Sequence, residues 1–447
     1  MLPDDVQERL AALGADRLAE ELARLAHRSD EVYATVERLI ASPEENLERF
    51  KKKLARLRRA RKYYRWREAA ELAQELEDML GDLRAARPEP KQGLELLAKF
   101  YASDGRTLQR CDDSGGWVGP IFSEAAAKLF AEFAQRCEDK AWVADLVFRL
   151  FSEDDYGVRH GLLARAASYL PEEEIRKLAN RLLEWARENP EQAFHYRYGA
   201  ETLARELKDP RLFERAALAS HHPPAPGVHL QIAQVYLETG EPEEALEGLQ
   251  RAQPRWDENE YDSLLYRAYE QLGEQEKLAE VAWRMFTRNR SLDTLESLLR
   301  VIGEDQRETV IEKQVKEILN SPEFSYEDAS FLVQVGRLAE AEEYLLRHRE
   351  KLNGDLYSIL LPWAKALERG GHPLGATVVY RALLESILNR AITKYYHHGV
   401  RYLKKLETLA ERIRDWKGMA PHGEYLAGLR ETHKRKRSFW GKYEGKR

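Results

Sequence analysis

Residues 232–249 read IAQVYLETGEPEEALEGL, and residues 265–282 read LYRAYEQLGEQEKLAEVA. The second stretch repeats the pattern of the first after 33 residues, and a glycine followed five positions later by a small residue returns further along the chain. Glycine readily adopts the left-handed conformation that ends a helix, and a small residue after it lets the next helix pack closely. The pattern therefore predicts helix hairpins. The matched positions are Tyr236 and Tyr269, Gly240 and Gly273, Ala245 and Leu278, Gly336 with Ala341, and Gly371 with Ala376.

This repeat resembles the tetratricopeptide repeat, whose units are about 34 residues long. The tryptophan usual in that motif is missing at these positions. Helical periodicity covers nearly the whole chain, for example at Leu18, Leu22 and Leu25, and alternating β-branched runs are few. The predicted fold is all-α, an antiparallel helix-hairpin (tetratricopeptide-like) α-solenoid.

Short proline-containing breaks separate the predicted helices, notably at residues 87–90 and 221–227. Short helices joined by short breaks are typical of antiparallel helix hairpins. They suggest four regions, which we describe by residue range. These are an N-terminal helical region with a basic helix (1–87), a central helical region (88–226), tetratricopeptide-like repeats (227–396), and C-terminal capping helices with a basic tail (397–447).

The composition of the 447 residues is that of a helical protein with much surface. Apolar residues make up 43 % and charged residues 33 %, and the net charge is −6. The two cysteines, Cys111 and Cys137, are too few for a disulfide framework or a four-ligand zinc site. The N-terminus has no apolar signal segment, and no stretch approaches the length of a membrane span. We therefore expect a cytoplasmic protein without a membrane contact.

Two strongly basic segments stand out against the acidic average. Residues 51–67 read KKKLARLRRARKYYRWR, with ten Lys or Arg among seventeen residues, and we expect a helix that is basic on one face. Residues 434–447 read KRKRSFWGKYEGKR, where aromatic residues are interleaved. Basic and aromatic side chains together can hold nucleic acid or an acidic partner, and the alternative is a solvated or internally paired surface. The candidate residues are Lys51, Lys52, Lys53, Arg56, Arg58, Arg59, Arg61, Lys62, Arg65, Lys434, Arg435, Lys436, Arg437 and Trp440.

Stacked hairpins form a curved surface that usually binds peptides or proteins. We expect such a groove within residues 228–396, with Tyr236 and Tyr269 as candidate lining residues. The primary functional hypothesis is a non-enzymatic scaffold or adaptor for a protein partner. A nucleic-acid-associated protein that uses the two basic segments is the alternative.

Several stretches resemble a bacterial helical family of unknown function. They are FKKKLARLRRARKYYRWREAAELAQELEDML (50–80), SGGWVGPIFSEA (114–125), DDYGVRHGLL (154–163) and the stretch 396–440, which begins YHHGVRYLKKLETL. The last is also similar to the tetratricopeptide-like C-terminal region of SWIM zinc-finger proteins. The resemblance implies a helical fold and no particular activity. The zinc-binding Cys-x-Cys…Cys-x-His cluster of the SWIM relatives is absent from this sequence.

Candidate chemistry is sparse, and we predict no enzyme, catalytic residue, cofactor or metal. The glycine-rich loop 111–120 could cradle an anion, but it lacks the Lys-Ser or Lys-Thr of a P-loop. The carboxylates of 153–155 lack the spacing of an EF-hand. His221, His222 and His229, and the pair His397–His398, do not show the ligand spacing of zinc sites. A cryptic enzyme or ligand site at 111–120, with Asp112, Asp113, Asp154 or Asp155, is the second alternative.

Overall fold

The computed structural model of the protein describes residues 4–219, 227–252 and 257–445. The chain divides into two compact units, unit 1 (Met1–Trp256) and unit 2 (Asp257–Arg447). In the described residues of both units the secondary structure is helical, apart from one isolated bridge between Tyr64 and Cys111. The predicted all-α class is confirmed, whereas the four-region division remains a prediction.

Unit 1 contains the first fifteen α-helices of the described chain, one π-helical segment and two short 3-10 turns. The turns are Ala166–Ser168 and Pro190–Gln192, and the π-helix is Ile121–Ala126. The α-helices are α1 (Asp4–Ala11), α2 (Ala15–Ala26), α3 (Asp30–Ile40), α4 (Pro43–Arg59), α5 (Trp66–Ala86), α6 (Pro90–Tyr101), α7 (Asp104–Leu108), α8 (Ala127–Arg136), α9 (Lys140–Ser152), α10 (His160–Leu163), α11 (Glu172–Glu188), α12 (Ala193–Glu206), α13 (Pro210–Leu218), α14 (Val228–Thr239) and α15 (Pro242–Arg251).

Unit 2 continues with eleven α-helices in the described chain and 3-10 turns at Glu304–Gln306, Arg349–Lys351 and Thr393–Tyr395. The helices are α16 (Glu258–Leu272), α17 (Gln275–Arg288), α18 (Leu292–Ile302), α19 (Arg307–Asn320), α20 (Tyr326–Gln334), α21 (Leu338–Arg347), α22 (Tyr357–Arg369), α23 (Pro373–Arg390), α24 (Tyr396–Ala410), α25 (His422–Thr432) and α26 (Arg437–Tyr443).

Helices adjacent in sequence pack against each other within each unit, as in an α-solenoid. In unit 1 this holds for α11 with α12 and α14 with α15, and in unit 2 for α22 with α23 and α23 with α24. The hairpin turns follow the repeat. Each repeat glycine has a left-handed φ, and the paired small or apolar residue in the next helix is buried. The φ values are +82° at Gly240, +70° at Gly273, +78° at Gly336 and +84° at Gly371, and the buried partners are Ala245, Leu278, Ala341 and Ala376.

Buried carboxylates paired with arginines link neighbouring helices. Asp262 of α16 accepts hydrogen bonds from Arg284 and Arg288 of α17. Arg290, at the turn after α17, donates to Gln314 of α19 at 2.6 Å and to Asp328 of α20 at 2.9 Å. A carboxylate buried without a partner is strongly destabilising, so these pairs favour one arrangement of neighbouring hairpins.

The basic stretch 51–67 is not one helix, which corrects the sequence-based expectation. Helix α4 ends at Arg59, the backbone is extended at Ala60, and α5 begins at Trp66. Between them the Tyr64 amide donates to the Arg110 carbonyl at 2.8 Å, and the Asp112 amide donates to the Tyr64 carbonyl at 2.9 Å. This long-range backbone pairing satisfies the amide and carbonyl groups of Tyr64, and local periodicity alone does not reveal it.

Candidate binding surfaces

The glycine-rich loop 111–120 is closed by its own Asp113. The Asp113 carboxylate accepts from the backbone amides of Trp117 (2.8 Å), Val118 (2.9 Å) and Gly119 (2.8 Å). The amides that could hold an external anion therefore bind an internal one. Ser123 lies inside the π-helix that follows Pro120. The geometry is that of a structural turn.

The acidic loop before α10 is built in the same way. Asp154 accepts from the amides of Tyr156 (3.3 Å), Val158 (3.1 Å) and Arg159 (2.8 Å). Its carboxylate is thus committed to the backbone of its own loop. In the described part of the chain, no group of three or more His, Cys, Asp or Glu side chains is placed to hold a metal ion.

The two cysteine thiols are free and buried. Burial, with Asp113 and Asp112 nearby, raises the pKa of Cys111 to about 11. Only the thiolate is a good nucleophile, so Cys111 is unreactive near neutral pH. Of the candidate histidines, His221 and His222 lie outside the described residues. His398 contacts the Arg401 guanidinium through Nδ1 at 2.6 Å, and burial lowers its pKa.

The lysines and arginines of the basic segment 51–67 differ in how they are paired. Lys51 pairs with Glu48, Lys53 with Asp82, and Lys62 with Glu68. In contrast, the described chain places no carboxylate within ion-pair distance of the exposed arginines. These arginines are Arg56, Arg58, Arg59, Arg61, Arg65 and Arg67, and Lys52 is likewise exposed and without an ion pair among the described residues.

Two exposed tryptophans lie close to each other, and sequence reasoning missed them as a pair. Trp66 is 52 % exposed and Trp117 is 51 % exposed. A methyl group placed on Gly115 would lie 3.0 Å from Trp66 Nε1 and 2.5 Å from Trp117 Nε1, so both indoles converge on this glycine. The position of Trp66 between Arg65 and Arg67 was the available signal, but its proximity to Trp117 depends on the tertiary fold.

The basic C-terminal segment lies in unit 2 and does not offer its aromatic residues for stacking, which corrects the expectation for Trp440. Phe439 is completely buried, and the Trp440 indole is 8 % exposed and donates to the His433 carbonyl at 3.0 Å. Phe439 packs edge-on against Tyr396 of α24. Lys434 pairs with Glu431, while Lys434, Arg435 and Arg437 remain exposed and Lys436 is half-buried.

The two candidate groove tyrosines have different environments. Tyr236 is 4 % exposed, and its hydroxyl donates to the Glu214 carboxylate at 2.7 Å. It is a packing residue between α13 and α14, and this corrects its predicted place in an exposed groove. Tyr269 is half-buried, and the Lys277 ammonium lies 5.4 Å from the centre of its ring.

Exposed apolar side chains are concentrated in the first three helices. Seven of the seventeen large apolar side chains exposed in the described chain lie between Leu10 and Ile40. Helix α2 buries none of its residues although its leucines follow helical spacing. Leu39 is 68 % exposed and Ile40 is 80 % exposed at the end of α3. Such clustering of apolar surface is typical of interaction sites.

These features define an all-helical, helix-hairpin protein with exposed apolar side chains in α1–α3 and a basic-aromatic region around Trp66. The chain belongs to a family of unknown function (DUF6880), whose matches cover residues 6–222 and 216–442. No curated protein matches it. One solved structure similar to it is described as "Structure of Naa15/Naa10 bound to HypK-THB", at 12 % sequence identity and a TM-score of 0.34. The match covers 88 % of this chain and 63 % of the other chain, so this chain spans less than two thirds of that length.

None of the described helices is both long and apolar enough to cross a bilayer.

Proposed function

We propose that this protein is a non-enzymatic interaction scaffold that binds a protein partner through the apolar surface of α1–α3. The concentration of exposed apolar side chains between Leu10 and Ile40 is the observation that carries the proposal. Burying apolar surface is the main favourable term in protein association, and it depends little on salt. The partner therefore presents an apolar surface of its own. The buried thiols Cys111 and Cys137 support a reducing compartment, the cytoplasm, as its place of action.

The proposal is tested by recovery of partners on the tagged full chain from a bacterial lysate. The lysate is divided into samples at low and moderate salt, with and without nuclease, and bound proteins are identified by mass spectrometry. A discrete protein that survives moderate salt and nuclease supports an apolar interface. Recovery dominated by nucleic acid, and lost with nuclease or salt, contradicts it.

Binding of single-stranded nucleic acid is the second candidate, favoured by the exposed pair Trp66 and Trp117 and by the unpaired arginines that flank Trp66 in the sequence, Arg65 and Arg67. Aromatic rings stack on bases of any sequence, and each stack contributes about 1–3 kcal/mol. Guanidinium groups without carboxylate partners are available for phosphates. This candidate site lies within unit 1 and does not need the C-terminal segment, whose Trp440 is buried.

Fluorescence anisotropy of a labelled single-stranded oligonucleotide tests this candidate. Replacing Arg58, Arg59 and Arg61 by Gln should reduce the slope of log affinity against log salt by roughly 0.7 for each lost phosphate contact. Trp66→Ala should weaken binding with little change in that slope. Lys434→Gln, in the other basic segment, is the matched control and should leave binding unchanged. Absence of binding by the unmodified protein at low salt excludes this function.

A further inference from the structure

Buried polar atoms without partners cluster around one arginine of unit 2. Among the described residues, six buried side-chain nitrogen or oxygen atoms lack a hydrogen-bond partner. They include Arg381 Nε, Tyr425 Oη and His422 Nε2, and Thr377 Oγ1 one helical turn before Arg381 on α23. Native proteins leave few such atoms unsatisfied, so a concentration at one place points to a missing partner.

Arg381 is itself 8 % exposed. Its Nη2 donates to the Ala420 carbonyl at 2.8 Å, and its guanidinium carbon lies 4.0 Å from the centre of the Tyr425 ring. No carboxylate in the described part of the chain comes within ion-pair distance of it. Burial lowers the pKa of Arg381. The pKa of Arg159, which is also buried but has a carboxylate partner, is raised instead. Arginine does not lose its proton in proteins, so this buried charge calls for an anion.

A cavity of about 610 Å³ opens onto this arginine. Its walls come from residues 349–355, the inner face of α23, the turn 418–420 and Tyr425, all within unit 2. The volume suits a small ligand or the end of a peptide. The gap beside Arg381 is therefore large enough for an anionic group and the atoms attached to it.

The other charges of the cavity restrict which anion fits. Asp355 is paired with Arg390 at 3.2 Å, and Glu350, Glu385 and Arg349 also line the cavity. Burial, with the charge of Glu385 nearby, raises the pKa of the Tyr425 phenol. Glu350 and Glu385 balance the charges of Arg349 and Arg381, so the cavity has no excess positive charge for a doubly charged phosphate. The two carboxylates favour a ligand nitrogen that donates hydrogen bonds.

We propose that this cavity binds a ligand with one carboxylate group, held by Arg381, and a neighbouring nitrogen donor that faces the acidic wall. A free amino acid and the C-terminal end of a peptide share this chemistry. The carboxylate accepts from Arg381 Nη1, a guanidinium nitrogen that makes no hydrogen bond within the described chain and is not fully buried. The site is independent of the apolar surface of α1–α3.

Isothermal titration calorimetry on the full chain tests this site with four probes. They are L-leucine, tri-alanine with a free C-terminus, the same tripeptide as its C-terminal amide, and inorganic phosphate. We expect one molecule of a free-carboxylate probe to bind per chain, with the amide weaker by about tenfold or more, which is 1.4 kcal/mol or more. Tighter binding of tri-alanine than of leucine identifies a peptide end as the source, and the reverse identifies a small molecule.

Variants separate this site from adventitious binding. Arg381→Gln should weaken the free-carboxylate probe by about tenfold or more. Arg381→Lys keeps the charge but loses the planar pair of donors, so it should bind more weakly than the unmodified protein even if the Gln variant does not fold. Arg435→Gln, an exposed arginine outside the cavity, should bind as the unmodified protein does. Equal binding of acid and amide, preference for phosphate, or no carboxylate binding at millimolar concentration overturns the proposal.

Discussion

Arg159 and Asp104 form a buried bidentate ion pair inside unit 1. Arg159 Nε donates to Oδ2 at 2.6 Å, and Nη2 donates to Oδ1 at 2.9 Å. The same guanidinium donates to the carbonyls of Leu150 (2.8 Å) and Tyr101 (3.1 Å). Burial alone would lower the pKa of Arg159, but the hydrogen bond and charge of Asp104 outweigh it and raise the pKa. The Arg159 guanidinium thus joins the loop of residues 154–159 to α7, to the end of α6 and to α9.

Breaking this pair from one side should be strongly destabilising. Asp104→Ala leaves a buried guanidinium without its carboxylate, and we expect the free energy of unfolding to fall by about 3–5 kcal/mol. The double variant Asp104→Leu with Arg159→Met removes both charges and should lose much less. Urea unfolding followed by circular dichroism measures both. If the double variant lost as much stability as Asp104→Leu and Arg159→Met lose together when measured singly, the two residues would not be coupled.

Gly161 should not tolerate a side chain, because two of the four stretches that carry the family resemblance meet there. A methyl group on Gly161 would lie 1.9 Å from the Ser123 carbonyl oxygen, which belongs to the backbone and cannot move aside easily. We expect Gly161→Ala to destabilise unit 1 by about 2–3 kcal/mol, measured by thermal unfolding. Gly105→Ala is the control, because its methyl group would meet only the Tyr156 ring at 3.6 Å. Equal losses of stability in Gly161→Ala and Gly105→Ala would show that the close approach to the Ser123 carbonyl does not exclude a side chain at position 161.

The C-terminal segment should contribute to stability through its aromatic residues and not through its charges. Phe439→Ala removes a fully buried ring packed on α24, and we expect a loss of about 3–5 kcal/mol. Replacing Lys434, Arg435 and Arg437 by Gln should change stability by less than about 1 kcal/mol, since exposed charges contribute little. Denaturant unfolding of the two variants side by side provides the measurement. A larger loss from the charge replacements would reverse this assignment.

Unit 2 should lose stability in mild acid because it buries neutral histidines. Burial lowers the pKa of His348 and of His433. The unfolded chain then takes up protons first, as pH falls through about 6.5, so stability is present above that pH and declines below it. The urea concentration at the midpoint of unfolding should be lower at about pH 5.5 than at about pH 7.5. His348→Phe keeps the contact with Tyr344 and should reduce this fall, whereas exposed His27→Gln should not. An unchanged fall in the His348 variant would assign the effect to other groups.

The hairpin turns were predictable because their signals are local. Gly240 and Gly273 mark turns whose backbone needs a left-handed residue, and the small or apolar residue five positions later is buried in each case. The break after Arg59 was not predictable, because no glycine or proline interrupts residues 51–67. The residues that pair with the Tyr64 backbone, Arg110 and Asp112, lie about fifty residues further along the sequence. Local periodicity carries no information about such partners.

The candidate sites were less predictable, because exposure depends on tertiary packing. A basic composition around Trp440 indicated a solvated tail, yet its ring is covered within unit 2. Conversely, Leu22 and Leu25 follow the spacing of a core helix but remain exposed. Arg381 carries no sequence signal, since one arginine on an apolar helix becomes notable only when its burial and its missing carboxylate partner are known.

The proposed scaffold function depends most directly on the apolar surface of α1–α3. The decisive measurement is quantitative mass spectrometry of proteins recovered on the unmodified chain and on the variant Leu39→Glu with Ile40→Glu, at moderate salt with nuclease. The control variant, Phe194→Glu with Tyr198→Glu, places the same charge on another exposed pair of unit 1. We expect a discrete protein partner on the unmodified chain and on the control variant, and its loss from the Leu39 and Ile40 variant. Equal recovery on all three chains, or no protein partner on any of them, would contradict the proposed function.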